Sequence, residues 1–159
     1  MAELATGFGV RVFGVKQHPD EYDGCAQRVV GPDELVDVCR DADVLVNALP
    51  GGEQTRGLIS AAVFEALDGG WLISVGRASV VDEPALVTAL ETGRLRGAGL
   101  DVFADEPLDE ASPLWATPGV LMTAHVGGLS PNYGRRWAEL FRRNLGAHLG
   151  RQPWTNRVT

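Results

Sequence analysis

The sequence predicts a doubly wound α/β fold, a parallel sheet with helices on both faces, and three observations predict it. Short apolar runs alternate along the chain with helix-like segments. Each run is bounded by glycine, proline or polar residues. The polar and glycine-rich residues then fall just after the runs, where a doubly wound sheet places its ligands.

The strands are expected over residues 10–15 (VRVFGV), 43–48 (DVLVNA), 71–75 (WLISV), 97–101 (GAGLD) and 120–123 (VLMT), with a minor extra strand at 28–30. Between them, Pro32 opens a helix that carries Leu35, Val36 and Val38. Ser60 caps a second, through Val63, Phe64 and Leu67, and Asp82 a third, through Leu86, Val87 and Leu90, that stops at Gly93. Ser130 and Pro131 start a longer helix in which Trp137, Leu140, Phe141, Leu145 and Leu149 recur at helical spacing, and Gly150 ends it. Residues 151–159 have no period and read as a tail.

Composition narrows the function. The chain has 159 residues, 45% hydrophobic and 22% charged, enough to bury a core. A formal net charge of -7 argues against nucleic acid and against an anionic membrane surface, since both require a positive surface. No apolar stretch is long enough to span a bilayer, and the first ten residues lack the pattern of a signal peptide, which points to the cytoplasm. Cys25 and Cys39 lack metal-ligand or CxxC spacing, so no metal is expected; both read as reduced thiols, with Cys39 in the core.

Four strand ends carry the unusual residues: Pro50, Gly51 and Gly52; Gly76 and Arg77; residues 101–106; and His125, Gly127 and Gly128. Singly, Arg77 reads as a surface arginine, Glu106 as a turn residue before Pro107 and His125 as a core histidine. Together they occupy three consecutive strand-end loops, a cation, a carboxylate and an imidazole at one sheet edge. A carboxylate beside a histidine fixes its tautomer and favours its protonated form. An arginine offers planar paired donors to a carboxylate and can polarise a carbonyl oxygen. A small 2-oxo or 2-hydroxy acid presents both groups, and its reduction needs a hydride from a nicotinamide and a proton from an acid.

The wording of the motifs adds a second line. LISVGRASVVDEPALVTALETGRLRGAGLDVFADEPL (residues 72–108), followed by TAHVGG (123–128) and preceded by ALPGGEQTRGLIS (48–60), resembles the D-isomer-specific 2-hydroxyacid dehydrogenase family. The resemblance runs from about residue 8 to the final helix. It implies an NAD(P)-dependent oxidoreductase acting on a small D-2-hydroxy acid or 2-oxo acid such as glyoxylate, hydroxypyruvate or pyruvate. By position it makes Arg77 the substrate-orienting arginine, His125 the acid and base, and Glu106 the partner of His125. It also implies that Asp101 contacts the nicotinamide carboxamide, and that Pro50, Val75, Gly76, Val126 and Gly127 line the cofactor. A homodimer is implied for the full-length enzyme. The alternative is a nonenzymatic nucleotide-binding or interaction module of the same fold.

Two departures from the family pattern shape further expectations. After VRVFGV the family often has an acidic residue that accepts the adenosine ribose 2'-hydroxyl, but Lys16 and Gln17 follow here. A lysine there attracts a 2'-phosphate, which favours NADP over NAD, against the plainer reading of a solvated charge. The family's first strand and GxGxxG loop also have no counterpart in this sequence. The fold expected is therefore an incomplete Rossmann-like sheet: residues 1–130 as a partial NAD(P)-binding domain, residues 131–159 as a helix and tail that pack on a substrate domain. In the order 3-2-1-4-5-6 the first strand lies between the strands at 10–15 and 43–48, so two apolar edges are expected to be open, with Trp137 and Phe141 exposed.

Overall fold

The structure is a computed structural model that describes residues 1–155; the end of the expected tail, residues 156–159, lies outside the described residues. The chain divides into two compact units, Met1–Ala124 and His125–Thr159.

The first unit opens with helix α1 (Ala2–Thr6) and continues through strands β1 (Phe13–Val15) and β2 (Arg28–Val30). These two pair in parallel, Phe13 opposite Arg28 and Val15 opposite Val30. The second strand, expected only as a minor one, is thus a full partner of the first. Strand β1 is shorter than the six-residue strand predicted over 10–15. Its pairing with the β2 side begins at Val12, whose carbonyl accepts from the Gln27 N–H, and Val10 is exposed.

A larger sheet follows, built from β3 (Val44–Asn47), β4 (Trp71–Ser74), β5 (Gly97–Leu100) and β6 (Val120–Met122), all parallel in that order. Because the strands are parallel, their carboxyl ends share one edge, and the loops at 48–52, 75–79, 101–106 and 123–124 leave from it. The two sheets have no ladder between them, which matches the two open edges expected from the sequence.

Helices α2 (Leu35–Cys39), α3 (Ala61–Ala66) and α4 (Glu83–Glu91) connect the strands. Their apolar residues, among them Leu35, Cys39, Val63, Phe64, Leu86 and Leu90, form one core with Leu72, Ala98 and Leu100 of the sheet. At about 25 cal/mol per Å2, removing these side chains from water is the main stabilising term of the unit. Strand alternation turns the next residues to the other face, and Val44, Val46, Trp71 and Leu121 there are exposed, Leu121 by 73%. The sequence pattern predicts cover on both faces, and the structure departs from it here. Apolar character marks a face as suited to burial without supplying the element that buries it.

The helix ends are mixed in outcome. Asp82 caps α4 through its side chain, Oδ1 accepting from the Ala85 N–H at 3.1 Å. Ser60 occupies the cap position of α3, but its side chain makes no capping bond; its carbonyl takes the Val63 and Phe64 N–H groups instead. Pro32 opens a 3-10 turn, Pro32–Glu34, and α2 starts only after it.

The second unit consists of a loop and helix α5 (Tyr133–His148), which begins two residues after Pro131. Its ending is as expected, with Gly150 at φ 70° and the Gly150 and Arg151 N–H groups bonded to the carbonyls of Ala147 and Gly146. Trp137 and Phe141 stack at 5.6 Å between centroids and are 61% and 56% exposed, as the sequence predicts. The described part of the tail is more ordered than its composition indicates. It folds back on α5, where the Thr155 N–H donates to Asn144 Oδ1 at 3.1 Å and Trp154 meets His148 edge-on.

Candidate active site

The candidate residues of the first unit lie on the loops at the carboxyl ends of β3, β4 and β5. Strand β3 ends at Asn47 and β4 at Ser74, which face each other in register; both are buried, each 1% exposed. Asn47 Nδ2 donates to Ser74 Oγ at 3.0 Å and to the Arg77 carbonyl at 3.3 Å, while Asn47 Oδ1 accepts from the Leu49 N–H at 3.1 Å.

Above this pair the two loops lie against each other. Gly76 is buried, and a Cβ there would sit 2.6 Å from the Leu49 carbonyl oxygen and 2.8 Å from the Leu49 nitrogen. Glycine at 76 is therefore a packing requirement of the loop pair. Pro50 and Val75 are exposed beside it. The Arg77 side chain is exposed as well, and its guanidinium donates to the Gly76 carbonyl at 2.9 Å.

The β5 loop begins with buried Asp101, whose N–H extends the ladder to the Ser74 carbonyl and whose Oδ1 accepts from Thr123 Oγ1 at 2.5 Å. Thr123, at the end of β6, is a residue the sequence reading did not single out; its signal is a hydroxyl closing an apolar strand. Glu106 is exposed and its Oε1 accepts from the Phe103 N–H at 3.1 Å, so the loop folds around its own carboxylate. Pro50, Val75, Gly76, Arg77, Asp101 and Glu106 thus all belong to loops that leave one sheet edge.

The remaining predicted residues lie elsewhere in the chain. Lys16 and Gln17 follow β1 on the smaller sheet; the Lys16 N–H donates to the Val30 carbonyl at 3.1 Å, and Gln17 is exposed. His125, Val126 and Gly127 open the second unit and are all exposed. His125 has φ 52°, the left-handed region that residues with a Cβ seldom adopt, a strain of about 1–3 kcal/mol of the kind that collects at functional positions. The Val126 carbonyl accepts from the Leu129 N–H at 2.8 Å.

Among the described residues there is no group of three or more His, Cys, Asp or Glu able to hold a metal, and no helix long and apolar enough to cross a membrane.

A parallel sheet with such loops at its carboxyl edge places the chain among the doubly wound α/β domains, which take their ligands at that edge. The chain belongs to the D-isomer specific 2-hydroxyacid dehydrogenases, matching their NAD binding domain over residues 1–127. Glyoxylate/hydroxypyruvate reductase A of Salmonella paratyphi B is 41% identical over 102 residues, 64% of this chain and 33% of that protein. The crystal structure of a D-isomer specific 2-hydroxyacid dehydrogenase family protein from Aeromonas salmonicida superposes with a TM-score of 0.89 at 33% identity, over 99% of this chain and 50% of that one. An NADPH-dependent glyoxylate/hydroxypyruvate reductase from Sinorhizobium meliloti, in complex with NADP and malonate, has a TM-score of 0.80 at 33% identity, over 99% of this chain and 51% of that one. The chain therefore spans about a third of the length of the curated relatives and about half that of the solved structures.

Proposed function

We propose that this protein is an NAD(P)-dependent oxidoreductase that interconverts a small D-2-hydroxy acid and its 2-oxo acid, of the glyoxylate, hydroxypyruvate and pyruvate class. The observation that carries the reading is the match to the NAD binding domain over residues 1–127, because Arg77, Glu106 and His125 all fall within it.

The residues present suit a nicotinamide cofactor. Exposed Pro50 and Val75 offer an apolar surface for a flat ring, and Asp101, one strand over, supplies a carboxylate for a carboxamide N–H. Val126 and Gly127 are assigned to the cofactor by the family motif TAHVGG, residues 123–128, and by that alone. When bound, the nicotinamide supplies the hydride. Arg77 holds the substrate carboxylate by paired N–H donors and draws electron density toward the carbonyl oxygen. His125 delivers a proton to that oxygen in reduction and removes it in oxidation, with Glu106 in the role of its carboxylate partner. Lys16, with Gln17 beside it, attracts the 2'-phosphate of NADP, which places NADP ahead of NAD. Residues 1–130 serve as the cofactor-binding part, residues 131–159 as a helix and tail that pack on a substrate domain, and the intact enzyme is a homodimer.

The test is NADPH oxidation with glyoxylate, hydroxypyruvate and pyruvate, in wild type and in two variants. Losing the general acid in His125→Ala is expected to lower kcat by roughly 100-fold or more. Arg77→Ala is expected to lower kcat/KM by a similar order, about 100-fold. Turnover that survives His125→Ala undiminished would overturn the acid and base role.

A further inference from the structure

We propose that Asn47 is a positioning residue, whose buried carboxamide locks the β3 and β4 loops together and fixes the backbone from which Arg77 projects. The proposal rests on the reading of Arg77 as the substrate-orienting group.

Its starting point is a polar pair where the sheet is otherwise apolar. Asn47 and Ser74 lie on the same face as Leu45 and Leu72, two residues back in each strand, and that face packs on the core. A buried amide left without partners is strongly destabilising, so its presence there has to be matched by bonds. Asn47 makes three, one to the end of β4 and one to each of the two loops. Its acceptor holds the Leu49 N–H, one residue before Pro50; its donors hold Ser74 Oγ and the Arg77 carbonyl. One side chain thus bonds the backbone of both the candidate cofactor loop and the candidate substrate loop.

The surrounding geometry makes this bond pattern a clamp. Besides the close approach at Gly76, a Cβ on Gly51 would sit 3.0 Å from Ser79 Oγ and 3.4 Å from Arg77 Cβ. Beyond Arg77 the chain is pinned from its other side, where the Gly57 and Ile59 N–H groups donate to the carbonyls of Ser79 and Val80, each at 2.9 Å. The Arg77 backbone therefore runs between two fixed points, and Asn47 holds the one nearer to it. Its side chain is exposed, with the guanidinium on the Gly76 carbonyl, while its backbone is held from both sides.

Placement matters because an error of about 1 Å in a reacting group costs on the order of 100-fold in rate. Asn47→Ala removes all three bonds. Asn47→Asp keeps an acceptor for Leu49 but turns a carboxylate oxygen toward the Arg77 carbonyl, so it frees the Arg77 side selectively. Leu72→Val, in the core of the same sheet, is the control for lost stability.

The full chain is compared by hydrogen–deuterium exchange and by steady-state kinetics with NADPH and glyoxylate. Asn47→Ala and Asn47→Asp are expected to speed exchange over residues 75–79 beyond the control at matched Tm. Both should raise KM for glyoxylate by roughly 10-fold, a fraction of the full cost of misplacement. In Asn47→Asp the affinity for NADPH should change far less than KM. Should Asn47→Ala fail to fold, Ser74→Ala, which removes one of the three bonds, reads the same loop and should loosen it to a smaller extent. If wild type shows no turnover, exchange over residues 75–79 alone decides the clamp, and rates equal to those of Leu72→Val overturn it. If wild type turns over and the Asn47 variants match Leu72→Val in loop exchange and in KM, the clamp is overturned.

Discussion

Cys39 lies in the core at 1% exposure, and burial pushes its thiol up to about 11 from the ordinary 9.0. In the unfolded chain that thiol ionises near 9, whereas the folded protein keeps it protonated to about 11. The raised folded value means that its stabilisation is full below pH 9 and is lost as pH rises toward 11. At pH 11 the loss is on the order of 2 kcal/mol. Urea denaturation of wild type and Cys39→Ala at pH 8 to 11 measures it: the wild type should fall more steeply, and parallel curves would exclude the effect. Cys25 is exposed, so a thiol reagent should modify it first and reach Cys39 only on unfolding. Lys16 carries a separate prediction, since Lys16→Asp should shift preference from NADPH toward NADH by favouring a ribose hydroxyl over a phosphate. An unchanged ratio of kcat/KM for the two cofactors would remove Lys16 from the argument. The contrast between Arg77 and Asn47 shows what was legible at this scale. Arg77 stands in a recognisable motif, whereas Asn47 is one polar residue ending an apolar strand, and two of its three partners, Ser74 and Arg77, come within reach only once β3 pairs with β4.

At the scale of elements, the local chemistry of α4 is complete within the sequence: Asp82 at the cap, Pro84 in the first turn and Gly93 at φ 73° after the end. Asp82→Ala should cost about 0.5–2 kcal/mol, read as a lowered Tm, because the Ala85 N–H loses its acceptor. A Tm equal to wild type would show that water replaces the cap fully. Ser60 has the right residue type at the right place and still makes no side-chain capping bond, so residue preference alone did not settle that end. The strands follow the same logic. Those of the larger sheet were legible within one or two residues because neighbours on the sheet stabilise their whole length. Strand β1 came out shorter because β2 is its single partner and its first residues lack ladder bonds. Cover of the second sheet face was not legible at all, since alternation records which side chains are apolar and carries no information on what meets them.

At the scale of the whole molecule, the exposed apolar residues of the larger sheet predict self-association. Val44, Val46, Trp71 and Leu121 are neighbours on one side of the four-stranded sheet, and Gly97 and Gly99 between them add no bulk. Strand β3 also forms the outer edge of that sheet, with no strand bonded beyond it among the described residues. An apolar face adjoining an open edge favours association with a second copy, and a lysine at such an edge is a common deterrent. The net charge of -7 opposes close approach, but its repulsion is screened within about 8 Å at physiological salt. Association should therefore increase with salt as well as with protein concentration, the opposite of an ion-paired interface. Light scattering across a salt series measures this for wild type and for Val46→Lys. The wild type is expected to grow in mean mass with salt and Val46→Lys to stay smaller at every salt concentration, with an unchanged far-ultraviolet circular dichroism spectrum. A wild-type mass independent of salt, or a Val46→Lys mass equal to it, would show that the sheet face does not drive association.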